Sequence, residues 1–141
     1  MANTQKPRPV YRNIGITQIV GYRMPLAALV SILHRASGIV MFVLMPFIIW
    51  MFDASLTSEI TYSQFTAVFN GGVGFVPGVV FKLIALALIW AYLHHFIAGL
   101  RHLWMDATHA VTLEFGRQSA VVTLAASVLL TLVLGVKLFF F

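Results

Sequence analysis

Cysteine is absent from this chain of 141 residues. Without a thiol group, the chain cannot form a disulfide, a thiolate zinc site, an iron–sulfur cluster or a covalent c-type haem attachment. Any metal that it binds must therefore be held by histidine or carboxylate side chains.

Charge is also scarce, since charged residues make up only 9% of the chain, against roughly 25% in ordinary soluble domains. Hydrophobic residues make up 60% and the mean hydropathy is +0.94, which excludes a soluble globule. The net charge of +5 comes from nine basic residues set against four acidic ones. It reflects a shortage of acids rather than a basic patch able to bind a phosphate backbone, so we expect no nucleic acid partner.

Three stretches are long and apolar enough to cross a bilayer, which takes about 20 helical residues. They cover residues 26–52, 79–105 and 120–141. The polar and basic residues 1–25 precede the first stretch, which is longer than the apolar core of a signal peptide, so we expect it to remain in the mature protein. The sequence predicts an all-α membrane protein, a single domain of three transmembrane helices.

The basic residues predict the orientation of these helices. The segment before the first span contains Lys6, Arg8, Arg12 and Arg23. Residues 53–78, between the first two spans, contain no lysine or arginine, whereas residues 106–119, between the last two, contain Arg117. By the positive-inside rule, the amino terminus and the second connector are cytoplasmic and the carboxyl terminus is outside.

Glycine and proline divide the chain further. Residues 70–78 read Asn-Gly-Gly-Val-Gly-Phe-Val-Pro-Gly and cannot continue a helix, so residues 58–69 before them are predicted to form a short interfacial helix. Pro25 is placed to begin the first span, and Pro46 within that span predicts a kink.

Ionisable side chains at membrane depth are costly and tend to face a cavity, a partner or a cofactor. The first cluster of this kind comprises Ser31, His34, Arg35, Ser37 and Gly38 in the first span. On a helix, Ser31 and Arg35 lie one turn apart on one face, with His34 beside them. The cluster therefore forms one polar wedge. For Ser31 the alternative is a hydroxyl that only bonds back to its own helix.

The second cluster lies in the second span. Gly99, His102 and Asp106 fall within about 40° of His95 around a helix, in a stripe from mid-span to the cytoplasmic edge. His94 points about 100° away from His95, so the two adjacent histidines cannot serve one site equally, and His95 is the better ligand candidate. A glycine on this stripe allows a flat cofactor or a second helix to approach the backbone.

Several of these polar residues have a purely structural alternative. Arg101 and His102 can form a basic helix end that reaches to the interface, and Asp106 can be an interfacial cap or ion pair. His94 can lie at the lipid edge or form an interhelical hydrogen bond, and His109 can be a solvated loop residue.

The two clusters together resemble those of a known family. Residues 23–38 read Arg-Met-Pro-Leu-Ala-Ala-Leu-Val-Ser-Ile-Leu-His-Arg-Ala-Ser-Gly, and residues 95–106 read His-Phe-Ile-Ala-Gly-Leu-Arg-His-Leu-Trp-Met-Asp. In these motifs the chain resembles the cytochrome b membrane-anchor subunit of succinate dehydrogenase (respiratory complex II). The segment Arg8-Pro9-Val10 is similar to the bacterial members, whereas the outer connector and the third span carry no motif.

The resemblance implies the partners and the site residues. The chain would form a haem-binding helix bundle with a second three-span membrane-anchor subunit, beneath an iron–sulfur subunit and a flavoprotein subunit in the lipid membrane. His95 is implied to be the axial iron ligand of haem b, and the second anchor supplies the other axial ligand. Ser31 and Arg35 are implied to line the ubiquinone site, and His34, Arg35 and His102 to lie near the haem propionates.

The implied function is the passage of electrons from succinate oxidation to ubiquinone, in the tricarboxylic acid cycle and respiratory chain of a bacterial inner membrane. The chain has no dinucleotide fingerprint and no cluster ligands, so it contributes the quinone site and holds no dehydrogenase chemistry. Two alternatives stay open. One is a haem-free structural anchor of a fumarate reductase-type complex, and the other is a stand-alone di-histidine cytochrome or small transporter, since His34 and His95 lie at similar depths.

Overall fold

The computed structural model describes residues 15–140. Residues 1–14, with Lys6, Arg12 and the Arg8-Pro9-Val10 segment, lie outside the described residues. Within residues 15–140 the chain forms six α-helices and no β-strand: α1 (Ile16–Gly21), α2 (Leu26–Val43), α3 (Met45–Leu56), α4 (Glu59–Gly71), α5 (Gly78–Thr108) and α6 (Leu113–Phe140). The predicted all-α class is confirmed.

Three of the helices, α2, α5 and α6, are long and apolar enough to cross a membrane, as the sequence predicts. Helix α5 has 31 residues and α6 has 28, so both extend beyond their apolar stretches. Only residues 109–112 connect them. Most of the polar residues 106–119, which hydropathy assigns to a connector, belong instead to the end of α5 and the start of α6. The left-handed backbone of His109 (φ 54°) ends α5. The orientation of the three helices across the membrane stays a prediction.

The first apolar stretch is interrupted near Pro46. Helix α2 begins directly after Pro25, as predicted, and ends at Val43. Leu44, with a ψ of 2°, joins it to α3, in which Pro46 lies within the first turn. A proline is tolerated there because its missing N–H has no role in the first turn. The predicted kink is therefore a short break at Leu44 between α2 and α3.

The outer connector contains the predicted short helix and the predicted turn. Ser58 begins α4, since its hydroxyl accepts a hydrogen bond from the Thr61 amide at 3.1 Å. After α4, Val73 and Val76 exchange two backbone hydrogen bonds of 3.0 Å in a tight turn. Gly72 (φ 91°) precedes this turn, and a Cβ atom there would collide with the Val76 carbonyl. The turn returns the chain to the membrane at α5.

Helix α5 is central, because it packs against both α2 and α6, and α4 also contacts it. The core between the spans consists of small side chains around Val30, Ala98 and Ala120. Small or hydroxyl-bearing residues at intervals of three or four form the buried face of α6: Ala120, Thr123, Ser127, Thr131 and Gly135. Such residues let membrane helices approach closely, while most large apolar side chains face outward.

Candidate functional site: a histidine cluster between two spans

Three histidines from two helices meet between α2 and α5. The rings of His34 and His95 are stacked, with centroids 4.1 Å apart and planes inclined by 20°. The His102 ring lies 5.2 Å from that of His34, tilted by 49°. We call these three residues the histidine cluster. The sequence places His34 and the His95–His102 stripe in separate groups, and the packing of α2 on α5 brings them together.

The hydrogen bonds of His95 define its tautomer. Its Nδ1 atom lies 2.9 Å from the backbone oxygen of His34 and 3.2 Å from the hydroxyl of Ser37. The Ser37 hydroxyl itself donates to the same backbone oxygen at 2.9 Å, and a carbonyl oxygen can only accept. Nδ1 of His95 therefore carries the proton, and Nε2 keeps a free lone pair suited to a metal ligand.

Two glycines lie where α2 and α5 approach each other. A Cβ atom on Gly38 would lie 2.9 Å from Cε1 and 3.3 Å from Nδ1 of His95, and the shorter distance is one that real Cβ atoms do not adopt. A Cβ atom on Gly99 would lie 3.7 Å from Nε2 of His34, an ordinary contact. Gly38 therefore makes room for the His95 ring, whereas a Cβ atom would also fit at Gly99, so the two roles expected of Gly99 stay predictions.

Ser31 and Arg35 form the predicted pair on the outer face of α2. The Arg35 guanidinium donates to the Ser31 hydroxyl at 3.3 Å, and Arg35 is exposed while Ser31 is half-buried. A guanidinium has five N–H donors, so the pair presents several unused donors next to the histidine cluster. Because Arg35 is exposed, an oxygen-bearing ligand at the surface of α2 can reach these donors.

Arg101 does not belong to the histidine cluster. Its side chain is only 9% exposed, and it turns towards α6 to donate to the Ser119 hydroxyl at 2.9 Å and to the Gly116 carbonyl at 3.3 Å. The alternative of an arginine reaching towards the interface is therefore wrong. The Ser119 hydroxyl and the Gly116 carbonyl, in the first turns of α6, accept hydrogen bonds from the guanidinium inside the protein.

His94 faces away from His95, as the helical geometry predicts. It is fully buried between α5 and α6, where Nδ1 lies 3.4 Å from the Ser127 hydroxyl and the ring stacks on Trp90. Ser127 donates to the Leu124 carbonyl, so its oxygen accepts from Nδ1 of His94. Within residues 15–140, Nε2 of His94 is buried and has no partner in hydrogen-bond geometry, and the ring also lies near the backbone of Val30 on α2. The interhelical hydrogen bond is thus the correct alternative for this residue.

Asp106 and His109 lie outside the histidine cluster, and both are exposed. Among residues 15–140, no group of three or more His, Cys, Asp or Glu side chains is arranged to hold a bare metal ion. A haem iron needs only axial ligands from protein because the macrocycle supplies the rest. The free Nε2 of His95 is compatible with that requirement.

Comparison with known proteins identifies similar chains. A family model described as the succinate dehydrogenase/fumarate reductase transmembrane subunit matches residues 4–134. The chain is 32% identical to the succinate dehydrogenase cytochrome b556 subunit of Paracoccus denitrificans over 120 residues, 85% of this chain and 87% of the relative. It is 31% identical to the subunit of the same name in Coxiella burnetii over 130 residues, 92% and 94% of the two chains.

Proposed function

Because the chain belongs to the family of succinate dehydrogenase/fumarate reductase transmembrane subunits, we propose that it binds haem b through His95 and contributes to a ubiquinone-reduction site. It is a multi-pass membrane anchor of the cytochrome b type. Its relatives in Paracoccus denitrificans and Coxiella burnetii are named as cytochrome b556 subunits, and a b-type haem in this chain follows from that kinship.

The observation that carries the proposal is the hydrogen bond from Nδ1 of His95 to the His34 carbonyl. Histidine ligands of metals commonly donate their second ring N–H to a carbonyl, which fixes the tautomer and the ring orientation and makes the ligating nitrogen more basic. Gly38 leaves the space that the ring needs. When bound, haem b supplies a one-electron redox centre within the membrane.

The remaining residues of the site hold the edges of the two ligands. His34, which stacks on His95, His102, whose ring lies tilted against that of His34, and Arg35 would donate N–H bonds to the haem propionates, since charge-assisted bonds to carboxylates are the strongest available. The donors of Arg35 and Ser31 would bind the quinone carbonyl oxygens and stabilise the negative charge that develops on reduction.

The proposal includes the partners. Low-spin haem takes two axial imidazoles, and His95 is the one that this chain offers, so a second membrane-anchor subunit supplies the other. Succinate oxidation takes place in the flavoprotein and iron–sulfur subunits, which deliver electrons to the quinone in the bacterial inner membrane.

A spectrum of the purified, dithionite-reduced complex tests the assignment. We expect His95→Leu to abolish the low-spin α band or convert the haem to a high-spin form, whereas His94→Leu leaves the band unchanged. An unaltered band in the His95 variant would refute the ligand assignment.

The same spectroscopy distinguishes the alternatives. A wild-type complex without haem that still reduces quinone would make the chain a structural anchor. Stoichiometric bis-histidine haem in the chain expressed alone would make it a stand-alone cytochrome. We expect neither result. The wild-type complex should contain haem, and the chain expressed alone should not, because the proposal assigns the second axial ligand to the other anchor subunit.

A further inference from the structure

A large cavity, widely open to the surroundings, lies at the end of the bundle opposite the histidine cluster. It has a volume of about 610 Å³ and lies between α3, α4, α5 and α6. A second cavity, of about 270 Å³, shares Met51, Phe69 and Ala85 with it and has an entirely apolar lining that reaches Leu44. Together they form an elongated space, and only its end nearest α4 and the carboxyl-terminal turn of α6 is polar.

Two lysines from different helices line the polar end of the larger cavity. Lys82 belongs to the second turn of α5, and Lys137 belongs to the last turn of α6. The Lys82 ammonium lies 5.8 Å from the centre of the Phe139 ring on α6, a cation–π distance that keeps it beside that helix. Two lysines, Lys82 half-buried and Lys137 exposed, therefore line the same end of an apolar space.

Among the other polar groups in the lining, only one amide adds N–H donors, and none adds negative charge. The Ser55 hydroxyl donates to the Phe52 carbonyl at 2.7 Å, and that of Thr66 donates to the Ser63 carbonyl at 3.0 Å, so both hydroxyl protons are used within their helices. The lining contains Asn70 but no Asp or Glu. The N–H donors that remain belong to two ammonium groups and one amide, which is a set suited to an anion.

Lysines near helix ends often reach towards the interface with no ligand at all, but two features speak against that reading here. The basic residues elsewhere in the chain predict that this end faces outside, where lysine is disfavoured. Lysines that only reached towards water would also not account for the apolar cavity that begins beside them.

We propose that this space binds one anionic phospholipid, with its phosphate between Lys82 and Lys137 and an acyl chain in the apolar part. Ammonium groups bind phosphate oxygens through charge-assisted hydrogen bonds, and an anionic phospholipid combines such a phosphate with apolar chains. A quinone fits the charge less well, because its head group is neutral while the two lysines bring two positive charges. The site is independent of the haem and quinone assignments.

Native mass spectrometry of the purified complex, titrated with phosphatidylglycerol and separately with phosphatidylcholine, tests this proposal. Each lysine near a phosphate contributes about a fivefold gain in affinity, so Lys82→Gln with Lys137→Gln should weaken phosphatidylglycerol binding by about thirtyfold. Lys82→Arg with Lys137→Arg should retain binding. Arg117→Gln, the same charge change at the exposed opposite end of α6, should leave binding unchanged.

Three results would overturn the proposal. The first is equal phosphatidylglycerol binding by wild type and the double glutamine variant when circular dichroism and size exclusion show both to be folded. The second is equal affinity for phosphatidylcholine, which would mean that the lysines only reach towards the interface. The third is a quinone rather than a phospholipid extracted from wild type in amounts that fall in the double variant.

Discussion

The two faces of α5 bury polar side chains in different ways. On the α2 side, the rings of His34 and His95 are only half-buried, and Nε2 of His95 keeps its lone pair. On the α6 side, His94 is completely buried against Ser127, which leaves no space for a macrocycle beside it. The adjacent residues His94 and His95 thus differ in accessibility. The half-buried His95 is the ligand candidate, and the buried His94 forms an interhelical hydrogen bond.

The largest effect is expected at Arg35, on the α2 side. Arg35→Leu removes donors that stabilise charge on the quinone, and losing one such donor typically costs on the order of 3 kcal/mol, about a hundredfold in rate. Succinate–ubiquinone reductase activity should fall by up to that factor, while electron delivery to a soluble dye and haem content stay near normal. Ser31→Ala should act in the same direction and more weakly.

Lysine or glutamine at position 35 provides the control, because either retains a donor and should retain part of the activity. If dye reduction and quinone reduction fell together with loss of the complex from the membrane, Arg35 would be a structural residue and the quinone site would lie elsewhere.

A smaller effect is expected from Gly38→Ala, which puts a methyl group against the His95 ring. The Cβ atom would lie 2.9 Å from Cε1, so the ring must shift, and overpacking of this kind typically costs about 1–3 kcal/mol. We expect reduced haem occupancy or a mixed-spin spectrum, measured on the purified complex. Gly99→Ala is the matched control, since its Cβ atom makes an ordinary contact. Equal spectra for the two variants would contradict the role assigned to Gly38.

The smallest effects are expected on the α6 side and should change stability without changing the haem spectrum. Ser127→Ala leaves Nδ1 of His94 buried without an acceptor, at a cost of about 1 kcal/mol. His94→Leu removes the same bond together with the unpartnered Nε2, so it should destabilise the protein less than Ser127→Ala does. Denaturant unfolding followed by circular dichroism measures both. A haem band altered by Ser127→Ala, or a larger loss of stability in His94→Leu, would show that the two faces of α5 are not separate.

Much of the architecture can be predicted from the sequence, because bilayer thickness and helical periodicity determine it. Three apolar stretches predict the three spans, and Pro46 and residues 70–78 predict the interruptions. The stripe of His95 and His102 and the pairing of Ser31 with Arg35 follow from 100° per residue. These features depend only on a residue's own helix, which is why one sequence is enough to find them.

Contacts between helices are not predictable in the same way. Periodicity within α2 does not say which face of α5 it meets, so it does not predict the pairing of His34 with His95 or the contact of Ser37 with that ring. The sequence groups Gly38 with the polar wedge, although this residue makes space for His95. Hydropathy treats arginine as an interfacial residue and therefore misses the burial of Arg101. The small and hydroxyl-bearing residues of α6, three or four apart, are a signal for the α5–α6 interface.

The four-residue connector at 109–112 has a consequence for biogenesis. It joins two long helices that Arg101 and His94 also link through hydrogen bonds, so α5 and α6 are expected to enter the bilayer as one helical hairpin. Helix α2 joins this hairpin through the contacts of His95 with His34 and Ser37 and through the packing of Val30 on Ala98 and Ala120. Since α3 and α4 separate α2 from α5 along the chain, the docking of α2 is expected to be a step distinct from formation of the hairpin.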